Sequence, residues 1–182
     1  MSTFSRSLIA TAAGLALFGL SACTGGGSSA GGGEETSSAP TSASSGSGLA
    51  GFNPCTFFKP EELTSFGVST QSKDFTQVSF QPGCEWTGEK QTIGLQKNAE
   101  ETVQSLGKGG GFDEFTPTTV AGREAAKMLT AGATGQGVCN YVVSAGGGIV
   151  LYQITGAMRD SVADPCGELK KIADQTASRL PE

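Results

Sequence analysis

Cysteine is the residue whose chemistry the spacing in this chain constrains most. There are five, Cys23, Cys55, Cys84, Cys139 and Cys166, and there is no histidine. Without histidine there is no Ser-His-Asp or Cys-His catalysis, no imidazole acid–base chemistry and no His-containing zinc site. A four-cysteine zinc site is built on close pairs such as Cys-x-x-Cys. The last four cysteines are separated by 29, 55 and 27 positions, so they offer none. They form an even set suited to two disulfides, which leaves Cys23 for other chemistry. The remaining catalytic candidates are carboxylates: Asp113-Glu114 beside a glycine run, and Asp160 with Asp164. The first pair reads as solvated loop acids and Asp164 as a helix cap. No catalytic, cofactor-binding or metal-binding residue is therefore expected. Two carboxylates about 5–9 Å apart in a cleft, one with a raised pKa, would reverse that expectation. Lys108-Gly109-Gly110-Gly111 lacks the Gly-x-x-x-x-Gly-Lys-Ser/Thr order of a phosphate loop.

The context of Cys23 explains the odd number. Residues 1–22 have the layout of a secretory signal, with Arg6 ahead of an apolar run from Leu8 to Leu20. That run is shorter than the roughly 20 apolar residues of a membrane span. It ends in Leu20-Ser21-Ala22-Cys23, which resembles the bacterial lipobox. The thiol of such a motif takes a diacylglyceryl group, and the small residues before it admit the signal peptidase. By that resemblance Cys23 becomes the first mature residue and carries lipid. Two or three acyl chains, palmitate among them, anchor a protein stably where one is marginal.

Cleavage after Ala22 leaves 160 residues, one domain's worth with some to spare. The whole chain has net charge −5. Arg6 is the only charged residue in the signal, so the mature part is −6. An acidic chain has no electrostatic footprint for nucleic acid and gains nothing from an anionic lipid surface. Membrane attachment is thus expected through lipid alone, on the extracytoplasmic face. Residues 23–51 read as a tether. Of the 28 residues Thr24 to Gly51, nine are Gly and eight Ser, and Leu49 is the only large apolar one. Such a segment cannot bury enough surface to fold. As a flexible coil it spans roughly 30 Å.

Residues 52–182 read as a globular α+β domain: an antiparallel sheet of about six strands in hairpins, covered by N- and C-terminal helices, with two disulfides. Asn53-Pro54-Cys55 and Asp164-Pro165-Cys166 share one grammar, a capping side chain followed by a proline already at helical φ. Pro60 to Phe66 predicts a short helix, and Asn98 to Glu101 a capping box opening another that ends at Gly107. Cys84 to Trp86 with Ile93 and Leu95 predicts a hairpin. Trp86 reads as core packing rather than a ligand-stacking ring. Thr118 to Ala121 and Ala125 to Leu129 predict strands turning at Gly122-Arg123. Val138 to Ser144 and Ile149 to Thr155 are the clearest strands. In the last helix Cys166, Leu169, Ile172, Ala173, Ala177 and Leu180 form one apolar stripe.

Three disulfide connectivities compete. In a simple meander Cys84 and Cys139 lie four strand spacings apart, roughly 19 Å, too far for a bridge whose Cα atoms stand about 4.4–6.8 Å apart. This favours Cys55–Cys84 with Cys139–Cys166. Cys55–Cys166 with Cys84–Cys139 stays open if the two Pro-Cys helix starts lie side by side.

The paired Asn/Asp-Pro-Cys motifs, Cys84-x-Trp86, Cys139-x-x-Val142, the run Val120 to Ala125 and the closing Leu180-Pro181 together resemble an actinobacterial cell-envelope lipoprotein family, domain of unknown function 3558. The likeness covers about Phe52 to Pro181. Where that family usually has Asp in the first motif this chain has Asn53, and either residue caps. The resemblance implies envelope residence and no established activity. The function expected is that of a non-catalytic binding module for an envelope protein or an apolar small molecule. The alternatives are a contact-only regulator or stabiliser of a membrane complex and a carboxylate-type enzyme. A pocket lined by Ile, Val, Leu and Tyr would favour the small molecule, and a flat apolar patch a protein.

Overall fold

A computed structural model describes residues 48–182. Arg6, the Leu-Ser-Ala-Cys motif, Cys23 and most of the tether lie outside the described residues. Seven strands form one antiparallel sheet: β1 Lys73–Asp74, β2 Gly83–Thr87, β3 Gln91–Asn98, β4 Phe112–Val120, β5 Arg123–Thr130, β6 Val138–Ala145 and β7 Gly148–Gly156. The strand beyond the expected six is β1. It is two exposed residues long and so leaves no alternating pattern to read. β4 begins at Phe112, six residues before the expected start, so Asp113 and Glu114 are strand residues and not loop acids.

The strand order is β1-β2-β3-β7-β6-β5-β4, which overturns the simple meander. β1 to β3 make one meander and β4 to β7 a second, which runs back to lay β7 against β3 from Gln91↔Gly156 to Asn98↔Ile149. The reason is burial. β3 and β7 carry apolar or enclosed residues on both faces, and a strand buried on both faces belongs at the middle of a sheet. The order leaves Cys84 three strand spacings from Cys139 rather than four, still roughly 14 Å.

Two turns are set by left-handed backbone. Gly146 and Gly147, with φ of 54° and 81°, join β6 to β7. Ala121 and Gly122, with φ of 49° and 80°, join β4 to β5, one residue earlier than the Gly122-Arg123 expected. Both are two-residue turns with positive φ at both positions, the pattern that matches strand twist. Ala121 is the non-glycine exception, and its N–H donates to Asp174 at 3.3 Å.

Three α-helices accompany the sheet: α1 Pro60–Ser65, α2 Val103–Gly109 and α3 Pro165–Thr176. Asn53 caps a 3-10 turn over Pro54–Thr56 by accepting from the Cys55 N–H at 3.0 Å. Asp164 caps α3 by accepting from the Gly167 N–H at 2.9 Å. α2 starts later than expected. Its cap is Thr102, which exchanges hydrogen bonds with Ser105, while Asn98 closes β3 instead. Residue Asn98 continues the alternation of β3, and the paired strand β7 wins over the local capping signal.

Side chains alternate across the sheet. On the first face Trp86, Ile93, Leu95, Cys139, Tyr141, Val143, Val150, Tyr152 and Ile154 pack against Leu63 and Phe66 near α1 and against Leu169, Ile172 and Ala173 of α3. On the second face a smaller cluster of Ala126, Val142, Ile149 and Leu151 is covered by Val103 and Leu106 of α2. Helices therefore cover both faces. Leu49 belongs to the first-face core with no exposure. It sits in a 3-10 turn over Gly48–Gly51, four residues inside the stretch whose composition reads as tether.

Candidate functional site

The motifs that stand out in the sequence meet one another in space. Cys55 is bonded to Cys84 and Cys139 to Cys166, with Cα separations of 5.0 and 5.1 Å. One bridge thus joins Asn53-Pro54-Cys55 to Cys84-x-Trp86, and the other joins Asp164-Pro165-Cys166 to Cys139-x-x-Val142. The run Val120 to Ala125 meets the closing Leu180-Pro181 through Arg123. Its guanidinium donates to the carbonyls of Leu180 at 2.7 Å and Pro181 at 2.9 Å. Trp86 is 1% exposed and packs edge-on against Phe58. These residues brace the domain. Arg123 as a clamp is invisible to pattern reading, because its partners are backbone carbonyls 57 and 58 residues away.

The carboxylate candidates do not converge. Asp113, at a bulge in β4, accepts from the Gly132 N–H and from the N–H and hydroxyl of Thr134. Those bonds, the Thr134 hydroxyl foremost, hold its carboxyl below the usual range. Glu114 pairs with Lys127 at 2.6 Å and accepts from Thr116. The Lys127 hydrogen bond lowers the Glu114 carboxyl and raises the lysine. Both acids fasten strand to strand or loop to strand, where a general acid needs a raised carboxyl. Asp160 is exposed on the loop that follows β7. Among the described residues no group of three His, Cys, Asp or Glu could hold a metal ion, and no helix is long and apolar enough to cross a membrane.

Of several concavities among the described residues, two lie on opposite faces of the sheet. The larger, about 650 Å³, is an open groove at the first-face end, where the start of α3, the end of α1 and the β2–β3 turn come together. Phe66, Val162 and Ala163 supply its apolar surface. Glu89, Lys90, Asp164, Glu168 and Lys171 supply charges of both signs. A Cβ on Gly167, at the groove wall, would push aside the Asp164 carboxylate that caps the helix. Pro165 and the cap at Asp164 fix where α3 starts, and the chain from Ser161 to Asp164 lines the groove together with the Phe66–Gly67 corner. It was not legible in advance, because the five stretches that line it are scattered from Phe66 to Lys171.

The second concavity lies on the opposite face. The loop from Phe75 to Gln81 folds over that face, pinned by Gln96, whose Nε2 donates to the carbonyls of Phe75 and Gln81 at 3.1 and 3.2 Å. Between this loop and Leu106 of α2 is a slot of about 200 Å³.

Fold and site together define a disulfide-braced α+β domain with a core on each side of one antiparallel sheet and an open groove beside its last helix. The chain belongs to the family described as Protein of unknown function (DUF3558), which it matches over residues 18–179. No curated protein and no solved structure matches it.

Proposed function

We propose that this chain is an actinobacterial envelope lipoprotein, held by lipid on Cys23 at the extracytoplasmic face of the membrane, and that it acts as a non-catalytic binding module for another envelope protein. The anchor is supported by the Leu20-Ser21-Ala22-Cys23 motif after a short apolar run. Two disulfides fit an oxidising compartment outside the cytoplasm. The binding reading is carried by the groove at the start of α3. Its apolar residues Phe66, Val162 and Ala163 share one open groove with Glu89, Lys90, Glu168 and Lys171. Apolar surface mixed with charges of both signs suits a protein contact. The Ile, Val, Leu and Tyr residues that an apolar small molecule would need are in the core instead, which favours a protein over such a ligand. The engagement of Asp113 and Glu114 with their own neighbours argues against the carboxylate-enzyme reading.

The test is photo-crosslinking on intact cells with the full chain. A photoreactive residue at Val162 should give an adduct with one envelope protein. The adduct should disappear when Lys171→Glu reverses a groove charge, and a probe at exposed Glu100 should give none. Equal labelling from both positions, or no adduct at Val162, would overturn the binding reading.

A further inference from the structure

The slot on the second face has a chemistry the groove does not share. None of the residues that line it is ionisable. Six carboxamides face it: Gln77, Gln81, Gln96, Asn98, Asn140 and Gln153. They come from the covering loop and from three neighbouring strands, and the register places Gln153 of β7 directly beside Asn140 of β6. Gln77 and Gln153 also line a neighbouring trough of about 330 Å³, where Phe75 lies over Gly94 and a single acid, Glu85, stands at the border. The trough reaches the lower end of the roughly 300–1,000 Å³ of small-ligand sites, and the smaller slot shares two of its lining residues.

Two of these amides are not used by the protein, and two more are used at one end only. Gln77 and Gln153 hydrogen-bond through their side chains to no other described residue. Asn98 uses its Oδ1, which accepts from the Glu100 N–H at 2.9 Å. Asn140 uses its Nδ2, which donates to the Met128 carbonyl at 3.4 Å. The other end of each is unpaired, although both residues are 3% exposed. Every fully enclosed side-chain nitrogen or oxygen among the described residues has a partner, so the unpaired ends are open to solvent. Native proteins rarely place such groups in a recess unless water or a ligand completes them.

The ligand class follows from exclusion. A charged ligand finds no counter-charge in the slot, and an unpaired charge is costly to bury. An apolar ligand would leave the carboxamides unsatisfied. An extended peptide is recognised by adding a strand at a sheet edge, but the floor here is β3, β7, β6 and β5, interior strands whose backbone is already paired. A hydroxyl both donates and accepts, as a carboxamide does through its two ends, and a sugar ring also has a C–H face suited to Leu151 and Met128. We infer that the amide-lined slot and its adjoining trough bind a neutral, hydroxyl-rich oligosaccharide. This site is on the opposite face from the groove, and the two can be filled together.

The experiment titrates the full chain in detergent with uncharged hexasaccharides of glucose, galactose, xylose and arabinose, using calorimetry at low and high salt. An oligogalacturonate and an uncharged hexapeptide serve as controls. At least one neutral hexasaccharide should bind, with an affinity unchanged by salt. Gln153→Leu and, separately, the exposed Gln77→Ala should each weaken it about tenfold, the loss of one or two hydrogen bonds, with the melting temperature unchanged. Lys171→Glu on the other face should leave saccharide affinity as it was, which separates this site from the groove. Binding of no neutral saccharide, preference for the anionic sugar or the peptide, or affinity that survives both glutamine substitutions would each overturn the inference.

Discussion

Arg179 grips Glu62 with both arms of its guanidinium, Nη1 to Oε1 at 2.7 Å and Nη2 to Oε2 at 2.8 Å, across 117 residues of chain. The same guanidinium stands 5.0 Å from the centre of the Phe57 ring. The last turn of the protein is thereby tied to α1. A two-pronged contact of this geometry is worth more than an ordinary exposed ion pair. Partial burial would raise the Glu62 carboxyl, but the Arg179 hydrogen bond, the Lys59 N–H and the charge of Arg179 together set it below the ordinary 4.5.

That shift has a sign in stability. A carboxyl whose folded pKa is depressed contributes stability above its unfolded pKa and loses it as pH falls through the folded one. The melting temperature should therefore fall as pH drops below about 4.5, with Asp113 and Glu114, also lowered, contributing to the same limb. Glu62→Gln should lower the melting temperature at pH 7 and make its acid limb shallower. Melting curves from pH 7 to 3 decide this. An acid limb as steep as that of the unaltered chain would refute the share assigned to Glu62.

Leu49 should behave as a core residue. It is fully buried, and the half-buried Lys97 ammonium holds its turn by donating to the carbonyls of Leu49 at 2.7 Å and Phe52 at 2.6 Å. Leu49→Ala should cost about 2–5 kcal/mol, the usual range for an enclosed leucine, in urea unfolding with an unchanged denaturant dependence. A chain begun at Phe52 should be destabilised comparably, whereas one begun at Ser45 should not. Equal stability of the two truncations would contradict the role given to Leu49.

Each disulfide should contribute about 2–4 kcal/mol. Replacing Cys139 and Cys166 together by serine should loosen the start of α3 selectively, because Cys139 lies in β6 and Cys166 in the first turn of that helix. Hydrogen exchange should then quicken from Leu169 to Ile172 more than in α1. Replacing Cys55 and Cys84 should give the reverse. Peptide mapping of the unreduced chain should recover Cys55 with Cys84 and never with Cys166.

Cys23→Ala should leave the chain as uncleaved precursor or release it to the medium. Mass spectrometry of the mature N-terminus is the direct check, with a diacylglyceryl modification on Cys23 expected. An unmodified Cys23 would remove the anchor from the proposal.

Local physics made much of this protein legible in its sequence. Asn53 and Asp164 each precede a proline, and a capping oxygen beside a residue already at helical φ specifies a helix start without help from distant contacts. Val138–Ala145 and Gly148–Gly156 are runs rich in β-branched and aromatic residues joined by glycines, and that composition marks both as strands. Local signals of this kind hid what depends on neighbours. Asn98 opens a plausible capping box, yet pairing with Ile149 across the sheet claims it for β3. Asp113 and Glu114 resemble loop acids beside glycines, and only the ladder to β5 makes them strand. Leu49 looks like one more residue of a Gly/Ser stretch until the core receives it. Above all, a period of two tells which residues share a face but not which strand lies next to which. The placing of β7 beside β3 was decided by the free energy of enclosing two strands that are buried on both sides. Both concavities depend on that order, so neither the charged groove nor the carboxamide slot exists until distant segments are brought together by the packed sheet.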